Sequence, residues 1–297
     1  MRIGFIGLGI MGKPMCRNLL AAGHDLTVSG YNPTAADELA EQGAQVVTTP
    51  RDVAAAVDLV ITMLPNGPQV RDVALGPDGI LAGAHDGLVY VDMSSIAPGV
   101  AREVHDRLGA AGVPMLDAPV SGGEPKAIDG TLSIMAGGDH VVFDRVREVL
   151  GVLGSTVTHV GPIGAGNTTK LANQVVVALN IAAAAEALVL ARMAGVEPES
   201  VFAAIRGGLA GSTVLDAKVP MMLDRDFRPG FRIELHAKDL ANALDTADEI
   251  DAPLPLTRSV LEMLRALQES GHGAEDHSGL VQFYEDLAHT RVERSAS

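Results

Sequence analysis

Short apolar runs alternate with amphipathic stretches over roughly the first 160 residues. Helix-period segments at 11–22, 35–42 and 99–111 separate most of these runs. The alternation predicts a largely parallel β-sheet with helices on both faces, whose ligands gather where the strands end. The predicted strands are residues 2–6, 26–29, 59–63, 88–92, 115–118, 132–136 and 156–160.

The pattern changes after the glycine-rich stretch at residues 161–166. Strand signals almost disappear, and helical periodicity covers residues 171–194, 198–205, 235–250 and 256–270. We therefore predict a second, all-helical domain, with the boundary in this stretch.

Composition narrows the class of protein. The chain has 297 residues, is 47% hydrophobic and 20% charged, and is therefore globular rather than disordered. A net charge of −15 disfavours non-specific binding to nucleic acid or anionic membranes. The single cysteine, Cys16, excludes an intrachain disulfide and favours the reducing cytoplasm. The longest apolar stretch, 175–193, contains Asn180, Glu186 and Arg192, which favours a buried helix over a membrane span.

A dinucleotide fingerprint follows the first predicted strand. Gly7, Gly9 and Gly12 have G-x-G-x-x-G spacing between a strand and a helix, the context that the motif requires. These glycines, with Ile10 and Met11, are the predicted pyrophosphate site. The fold prediction is an α/β Rossmann-like dinucleotide-binding domain at 1–162, followed by an all-α domain at 163–297 for substrate binding and oligomerisation.

The second strand does not reveal whether the cofactor is NAD(H) or NADP(H). Neither an acidic residue nor an arginine occurs in the segment 28–34. Asn32 is a candidate ribose contact, although an ordinary Asn-Pro turn fits equally well. Two further strand ends contribute Leu64, Pro65 and Ser95 as candidate cofactor contacts, and each also fits a structural turn or helix cap.

Other polar clusters are candidate substrate contacts. Ser121, Gly122 and Gly123 offer amides and a hydroxyl suited to a carboxylate, or alternatively begin a capped helix. Lys170 stands at i, i+3 and i+4 with Asn173 and Gln174 in an otherwise apolar helix. Lys238 stands four residues before Asn242 in a second helix, where an exposed charged face is the alternative. The histidines lack metal-ligand spacing, so no metal is predicted.

With these motifs in order, the chain resembles the β-hydroxyacid dehydrogenase family over essentially its full length, most specifically at 5–15, 117–132, 164–183 and 206–216. The resemblance implies that Lys170 is the general acid/base and that Ser121, Gly122 and Gly123 hold the substrate carboxylate. It also implies that Asn173 orients the substrate, that Lys238 lies at cofactor and substrate, and that Phe231 lies beside the nicotinamide.

The subgroup most resembled reduces tartronate semialdehyde (2-hydroxy-3-oxopropanoate) reversibly to glycerate with NAD(H) or NADP(H). The sequence departs from that subgroup at Gly30-Tyr31, where its relatives have Asp-Arg. The enzymatic alternative is 3-hydroxyisobutyrate dehydrogenase or another short 3-hydroxyacid dehydrogenase. A non-catalytic dinucleotide-binding module is disfavoured because Lys170 is present. The implied partners are a small anionic substrate and further copies of the chain, as a homodimer or homotetramer.

Overall fold

The computed structural model describes residues 1–294. The chain divides into two compact units, residues 1–170 and the part from Leu171 onward. The sequence placed the division eight residues earlier, after residue 162. Because the division lies after residue 170, the first residues of the long helix that begins at Ala165 belong to the first unit.

The first unit contains a nine-stranded sheet in the order β3-β2-β1-β4-β5-β6-β8-β7, and β9 pairs with β8. Its strands are β1 (Arg2–Ile6), β2 (Asp25–Ser29), β3 (Gln45–Val47), β4 (Leu59–Thr62), β5 (Val89–Asp92), β6 (Met115–Asp117), β7 (Val120–Ser121), β8 (Ser133–Gly137) and β9 (Thr156–Gly161). Its helices are α1 (Gly12–Ala21), α2 (Pro33–Ala40), α3 (Pro50–Ala56), α4 (Gly67–Leu75), α5 (Pro98–Gly109), α6 (Gly123–Asp129) and α7 (His140–Leu153).

Helices cover both faces of this sheet. Apolar residues of α1, α2, α6 and α7 form one core with the strands, and those of α3, α4 and α5 form a second. Every residue of β4 and β5 is buried, as expected of central parallel strands with helices on each side. The predicted Rossmann-like architecture is confirmed.

The sequence missed two strands. β3 is mostly exposed and begins with Gln45, so it lacks the apolar run on which strand prediction depends. β7 has only two residues. It pairs with β8 in the antiparallel direction, as β6 also does, whereas all the other pairs in this sheet are parallel.

The second unit is helical throughout the part that the structure describes, as predicted. α8 (Ala165–Met193) begins in the first unit and continues into the second. The other helices are α9 (Pro198–Ile205), α10 (Thr213–Asp224), α11 (Ile233–Glu249), α12 (Pro255–Glu269) and α13 (Val281–Ala288). Their apolar faces enclose a core of their own.

The long helix α8 is less buried than its composition predicts. It is the single described helix long and apolar enough to cross a membrane, and half of its most apolar window is buried inside the protein. The core helix of a folded domain can be equally long and apolar, so length and composition are only weak support for a membrane span. Val176, Leu190 and Met193 on this helix are exposed.

Candidate functional site

Four neighbouring strands bring the predicted cofactor segments to one edge of the sheet. The register pairs Ile6 with Thr62, Thr62 with Asp92, and Asp92 with Asp117. All four strands are parallel, so the segments that follow these residues leave the same edge. This edge therefore carries the glycine fingerprint and the predicted contacts Leu64 and Ser95.

The three fingerprint glycines meet different surroundings. A Cβ at Gly7 would lie 2.2 Å from the Met63 carbonyl oxygen, and one at Gly12 would lie 1.9 Å from the Gly7 carbonyl oxygen. Side chains at these two positions are excluded by the turn itself. A Cβ at Gly9 would have no neighbour within 4 Å, so its absence leaves open space beside the backbone.

This open space fits a dinucleotide. A pyrophosphate needs close approach to backbone at the second glycine of the motif, and it gains from the N-terminus of the following helix, here α1. Ile10 is exposed in the same loop. The residues present are therefore compatible with a nicotinamide dinucleotide whose phosphates would be held by the 7–12 loop.

Asn32 joins the end of β2 to this loop. Its Nδ2 donates to the Leu8 carbonyl oxygen at 3.2 Å, and its Oδ1 accepts from the Ala35 amide at 3.3 Å as the cap of α2. Both alternatives considered for Asn32 are thus compatible with the structure: it caps a helix, and it lies next to the glycine loop.

A buried hydrogen-bond network fixes the ends of β4 and β5. Thr62 and Ser94 hydroxyls donate to Asp92 Oδ1 at 2.7 and 2.5 Å, and the Leu64 amide donates to Ser94 Oγ at 2.9 Å. Burial raises the pKa of Asp92 to about 6, against these hydrogen bonds, which lower it. The helix-cap alternative for Ser95 is wrong, because the N-cap of α5 is Ala97 and neither Ser95 nor Ser94 holds that position. Ser95 is half-buried and Pro65 exposed beside this network.

The loop predicted to hold a carboxylate links β7 to α6. Ser121 ends β7 opposite Ser133 of β8, and its side chain is half-buried. Gly122 has φ +141, a conformation that side chains rarely adopt, and caps α6, which begins at Gly123. A glycine turn with an adjacent hydroxyl is compatible with the predicted carboxylate-binding loop. It is equally compatible with the alternative, in which these residues only begin a helix.

Asp117 anchors the start of the helix that carries Lys170. Its Oδ1 accepts from the Gly164 amide at 2.8 Å, and its Oδ2 accepts from the Asn167 amide at 2.6 Å. The Asn167 side chain in turn accepts from the Ile96 amide at 3.0 Å. Burial raises the pKa of Asp117 to about 6, whereas these amides favour the charged form and lower it.

Lys170 lies three residues after Asn167 and is only 6% exposed. The sequence pattern predicted Lys170 at the start of the helix. That position is wrong, because α8 begins at Ala165 and Lys170 lies in its second turn. A solvated helix end, the structural alternative for this lysine, is therefore excluded.

In the second unit, a buried network connects three predicted residues. Asn173 Nδ2 donates to Gln174 Oε1 at 2.9 Å, and Gln174 Nε2 donates to Asp239 Oδ2 at 2.6 Å. Lys238 Nζ lies 2.8 Å from Asp239 Oδ1. Lys238 is thus not part of an exposed charged face, since it is mostly buried and forms an ion pair.

Phe231 is held by groups from the segment at 276–277. Its amide donates to Asp276 Oδ2 at 3.0 Å, and its carbonyl oxygen accepts from the His277 amide at 2.9 Å. The Phe231 ring meets the His236 and His277 rings edge-on, with centroids 5.7 and 5.4 Å away. Phe231 therefore has a fixed backbone and a fixed ring environment.

The hydrogen-bond partners of His236 and His277 constrain the tautomers of the two rings. His236 Nε2 faces the Gln174 carbonyl oxygen at 3.2 Å and therefore carries a proton, since a carbonyl only accepts. In the neutral pair, His236 Nδ1 then accepts from His277 Nδ1, which lies 2.8 Å away. This pair links the backbone at Gln174 to the segment that holds Phe231.

Sequence reasoning missed several members of these networks: Asp92, Asn167, His236, Asp239, Asp276 and His277. Most of their partners are distant in the chain, although Asp92, Asp239 and Asp276 each also have a partner within two residues, namely Ser94, Lys238 and Ser278. Asn242 was named for its four-residue spacing from Lys238, but the sequence assigned it no role. Its Nδ2 is buried and has no hydrogen-bond partner among the described residues. No group of three or more metal-ligating side chains occurs among residues 1–294.

Comparison with known proteins agrees with the two-unit organisation. Residues 2–161 match the family model for the NAD-binding domain of 6-phosphogluconate dehydrogenase. Residues 164–284 match the family model described as NAD-binding of NADP-dependent 3-hydroxyisobutyrate dehydrogenase. The chain is also 45% identical to 2-hydroxy-3-oxopropionate reductase of Escherichia coli K12, over 98% of this chain and 100% of that protein.

The chain belongs to the β-hydroxyacid dehydrogenase family. This member is 38% identical to 2-(hydroxymethyl)glutarate dehydrogenase of Eubacterium barkeri, over 98% of this chain and 97% of that protein. The solved structure of Mycobacterium tuberculosis 3-hydroxyisobutyrate dehydrogenase with L-serine superimposes with a TM-score of 0.88 at 36% identity, covering 95% of this chain and 98% of that one. This β-hydroxyacid dehydrogenase is therefore an oxidoreductase that acts on a hydroxyl group with NAD(H) or NADP(H).

Proposed function

We propose that the enzyme reduces tartronate semialdehyde reversibly to glycerate. The observation that carries this proposal is the 45% identity to Escherichia coli 2-hydroxy-3-oxopropionate reductase over the full length of that protein. The stretches at 117–132 and 164–183, on which the subgroup resemblance rests, contain the glycine loop and Lys170.

We assign the proton transfer to Lys170. The reduced nicotinamide, when bound, supplies the hydride that the aldehyde carbon gains. The Lys170 ammonium gives a proton to the oxygen of that carbonyl, which becomes the hydroxyl of glycerate, and the lysine leaves the step as a neutral amine. Burial of Lys170 and the anchored start of its helix support this role, because a general acid needs a fixed position.

The remaining residues bind and orient the substrate. In our proposal Ser121, Gly122 and Gly123 bind the carboxylate through a hydroxyl and amides, and Asn173 and Gln174 orient the carbonyl end. The hydrogen bond from Gln174 to Asp239 supports this assignment, because it fixes the Gln174 side-chain amide. The Gln174 amide in turn fixes the Asn173 amide, which donates to it. Local groups of this kind explain how a protein with net charge −15 attracts an anionic substrate.

The substrate is tested by measuring nicotinamide absorbance with tartronate semialdehyde and with methylmalonate semialdehyde, each with NADH and with NADPH. We expect the higher kcat/KM for tartronate semialdehyde. A higher value for methylmalonate semialdehyde would contradict the proposal and support the alternative, 3-hydroxyisobutyrate dehydrogenase, which the Mycobacterium tuberculosis structure favours. Cofactor binding without turnover of either acid would contradict both.

We further propose that the enzyme is a cytoplasmic homodimer or homotetramer. The exposed apolar residues Val176, Leu190 and Met193 on α8 support self-association, because water contact with such a face is unfavourable. The single cysteine supports a reducing compartment. Light scattering coupled to size exclusion tests the assembly, and a monomer mass at micromolar concentration would contradict it.

A further inference from the structure

Tyr31 is the one exposed Phe or Tyr side chain among residues 1–294. The chain has six Phe, three Tyr and no Trp, and the other eight rings are buried or half-buried. Tyr31 is 96% exposed. A ring this exposed has no packing role in the described chain and is available for contact with a ligand.

The position is next to the glycine loop. Tyr31 lies between the end of β2 and the start of α2, and its neighbour Asn32 is bonded to the Leu8 carbonyl oxygen at 3.2 Å. Ile10, in the same loop as Leu8, is 55% exposed. In doubly wound α/β folds, the end of the second strand meets the adenosine half of a dinucleotide bound at the glycine loop.

Charge does not provide adenosine recognition at this position. The segment 28–34 has no acidic side chain for the ribose hydroxyls and no basic one for a 2′-phosphate. The basic residues of α1 are engaged elsewhere: Lys13 Nζ and Arg17 Nη2 both bind Glu38 Oε2, at 2.9 and 3.0 Å. What this segment does offer is the Tyr31 ring.

We propose that the Tyr31 ring stacks on the adenine of the bound cofactor and that this contact determines how the enzyme holds the adenosine half. The inference rests on the proposed cofactor site at residues 7–12. Stacking uses the π-face of the base and ignores the ribose 2′ position, so NADH and NADPH bind with similar affinity.

The test is isothermal titration of the full-length protein with NADH, NADPH and reduced nicotinamide mononucleotide, which lacks adenosine. Tyr31→Ala is expected to weaken binding of NADH and NADPH alike, by about tenfold or more, and to leave the mononucleotide unchanged. Tyr31→Phe keeps the ring and is expected to bind both dinucleotides within twofold of the parent. Val141→Ala changes another exposed apolar side chain, on α7, and is the matched control.

Four results would overturn the inference. Tyr31→Ala could bind both NADH and NADPH within twofold of the parent, which would show that the ring makes no contact. Tyr31→Phe could be as weak as Tyr31→Ala, or Tyr31→Ala could weaken NADPH alone, and either would assign the contact to the hydroxyl. Failure of the parent to bind either dinucleotide would refute the proposed cofactor site as well, whereas tight binding by both parent and Tyr31→Ala would refute stacking alone.

Discussion

Replacing Gly9 with valine should abolish tight cofactor binding without unfolding the protein. No atom lies within 4 Å of a Cβ at this position, and Gly9 lacks the positive φ that would strain a side chain. The fold therefore accepts the change, with an effect on stability of about 1 kcal/mol or less. The added atoms occupy the space that we assign to the pyrophosphate.

The expected loss of affinity follows from steric overlap. Forcing extra carbon atoms into an occupied space costs about 1–3 kcal/mol, so a central value of about 2 kcal/mol raises Kd roughly 30-fold. The pyrophosphate is common to both cofactors, so NADH and NADPH should weaken equally.

Gly12→Ala provides the contrast. Its Cβ would lie 1.9 Å from the Gly7 carbonyl oxygen, a backbone atom that no rotamer change can move. We expect a cost near the upper end of the overpacking range, about 3 kcal/mol, and a fall in Tm of roughly 6–12 °C. The smaller substitution should therefore damage the fold, and the larger one at Gly9 should damage only binding.

The assay combines thermal unfolding by circular dichroism with fluorescence titration of NADH and NADPH. Gly109→Val, at another glycine whose Cβ would have no neighbour within 4 Å, controls for the effect of valine on stability. If Gly9→Val retains the parent Tm and binds both cofactors within twofold of the parent, the pyrophosphate does not lie beside Gly9 and our placement is wrong.

Three further predictions concern cofactor choice, proton transfer and pH. Gly30→Asp should shift the ratio of kcat/KM values toward NADH, because a carboxylate binds ribose hydroxyls and repels a 2′-phosphate. The fold accommodates the new side chain, since its Cβ would lie at ordinary contact distances, 3.5 Å from Val46 and 3.6 Å from Val47. Lys170→Met should lower kcat by about 10²–10⁴-fold in single-turnover measurements, while NADH binding is retained. Asp92→Asn should reduce the fall in unfolding free energy between pH 4 and pH 7 by about 2 kcal/mol in denaturant titrations. The folded-state pKa of Asp92, about 6, lies above its ordinary value of 3.8, so its ionisation destabilises the folded chain as the pH rises.

Each of these has its own control. Gly30→Ala adds a side chain without charge, so an equal shift in this variant would remove the electrostatic explanation. Lys170→Arg keeps the positive charge but releases a proton poorly, so it should retain substrate affinity and lose turnover. Parent-like turnover by Lys170→Met, with hydride transfer shown by a deuterated cofactor to limit the rate, would transfer the role to Lys238. If the unfolding free energies of Asp92→Asn and of the parent change equally with pH, ionisation of Asp92 does not destabilise the folded chain.

Local signals in the sequence predicted most of the first unit. Strands such as β4 are continuous apolar runs, and the fingerprint glycines follow β1 directly.

Two helices were not predicted correctly. α10, in the second unit, was missed because Pro220 interrupts its pattern, although the structure accommodates this proline inside the helix. The start of α8 was placed too late because Gly164 and Gly166 read as loop residues, whereas Gly166 allows close approach to the Asp117 carbonyl oxygen.

The candidate site was predictable in its residues but not in its supporting contacts. Spacing alone selected Lys170, Asn173 and Gln174. The carboxylate that fixes Gln174 is 65 residues away, and Asp117 binds amides 47 and 50 residues away. Pairings at such separations depend on how the chain folds back, which residue types and helical periodicity do not specify.

The anchoring of α8 by Asp117 has a consequence for how such enzymes diversify. Lys170 is the last residue of the first unit, and its helix is bonded to the sheet one turn earlier. The proton donor that we propose therefore belongs to the same unit as the proposed cofactor site at residues 7–12. In this proposal, residues after position 170 can change to accommodate other acids while the amine of Lys170 keeps its place, so one reductive step can serve many substrates.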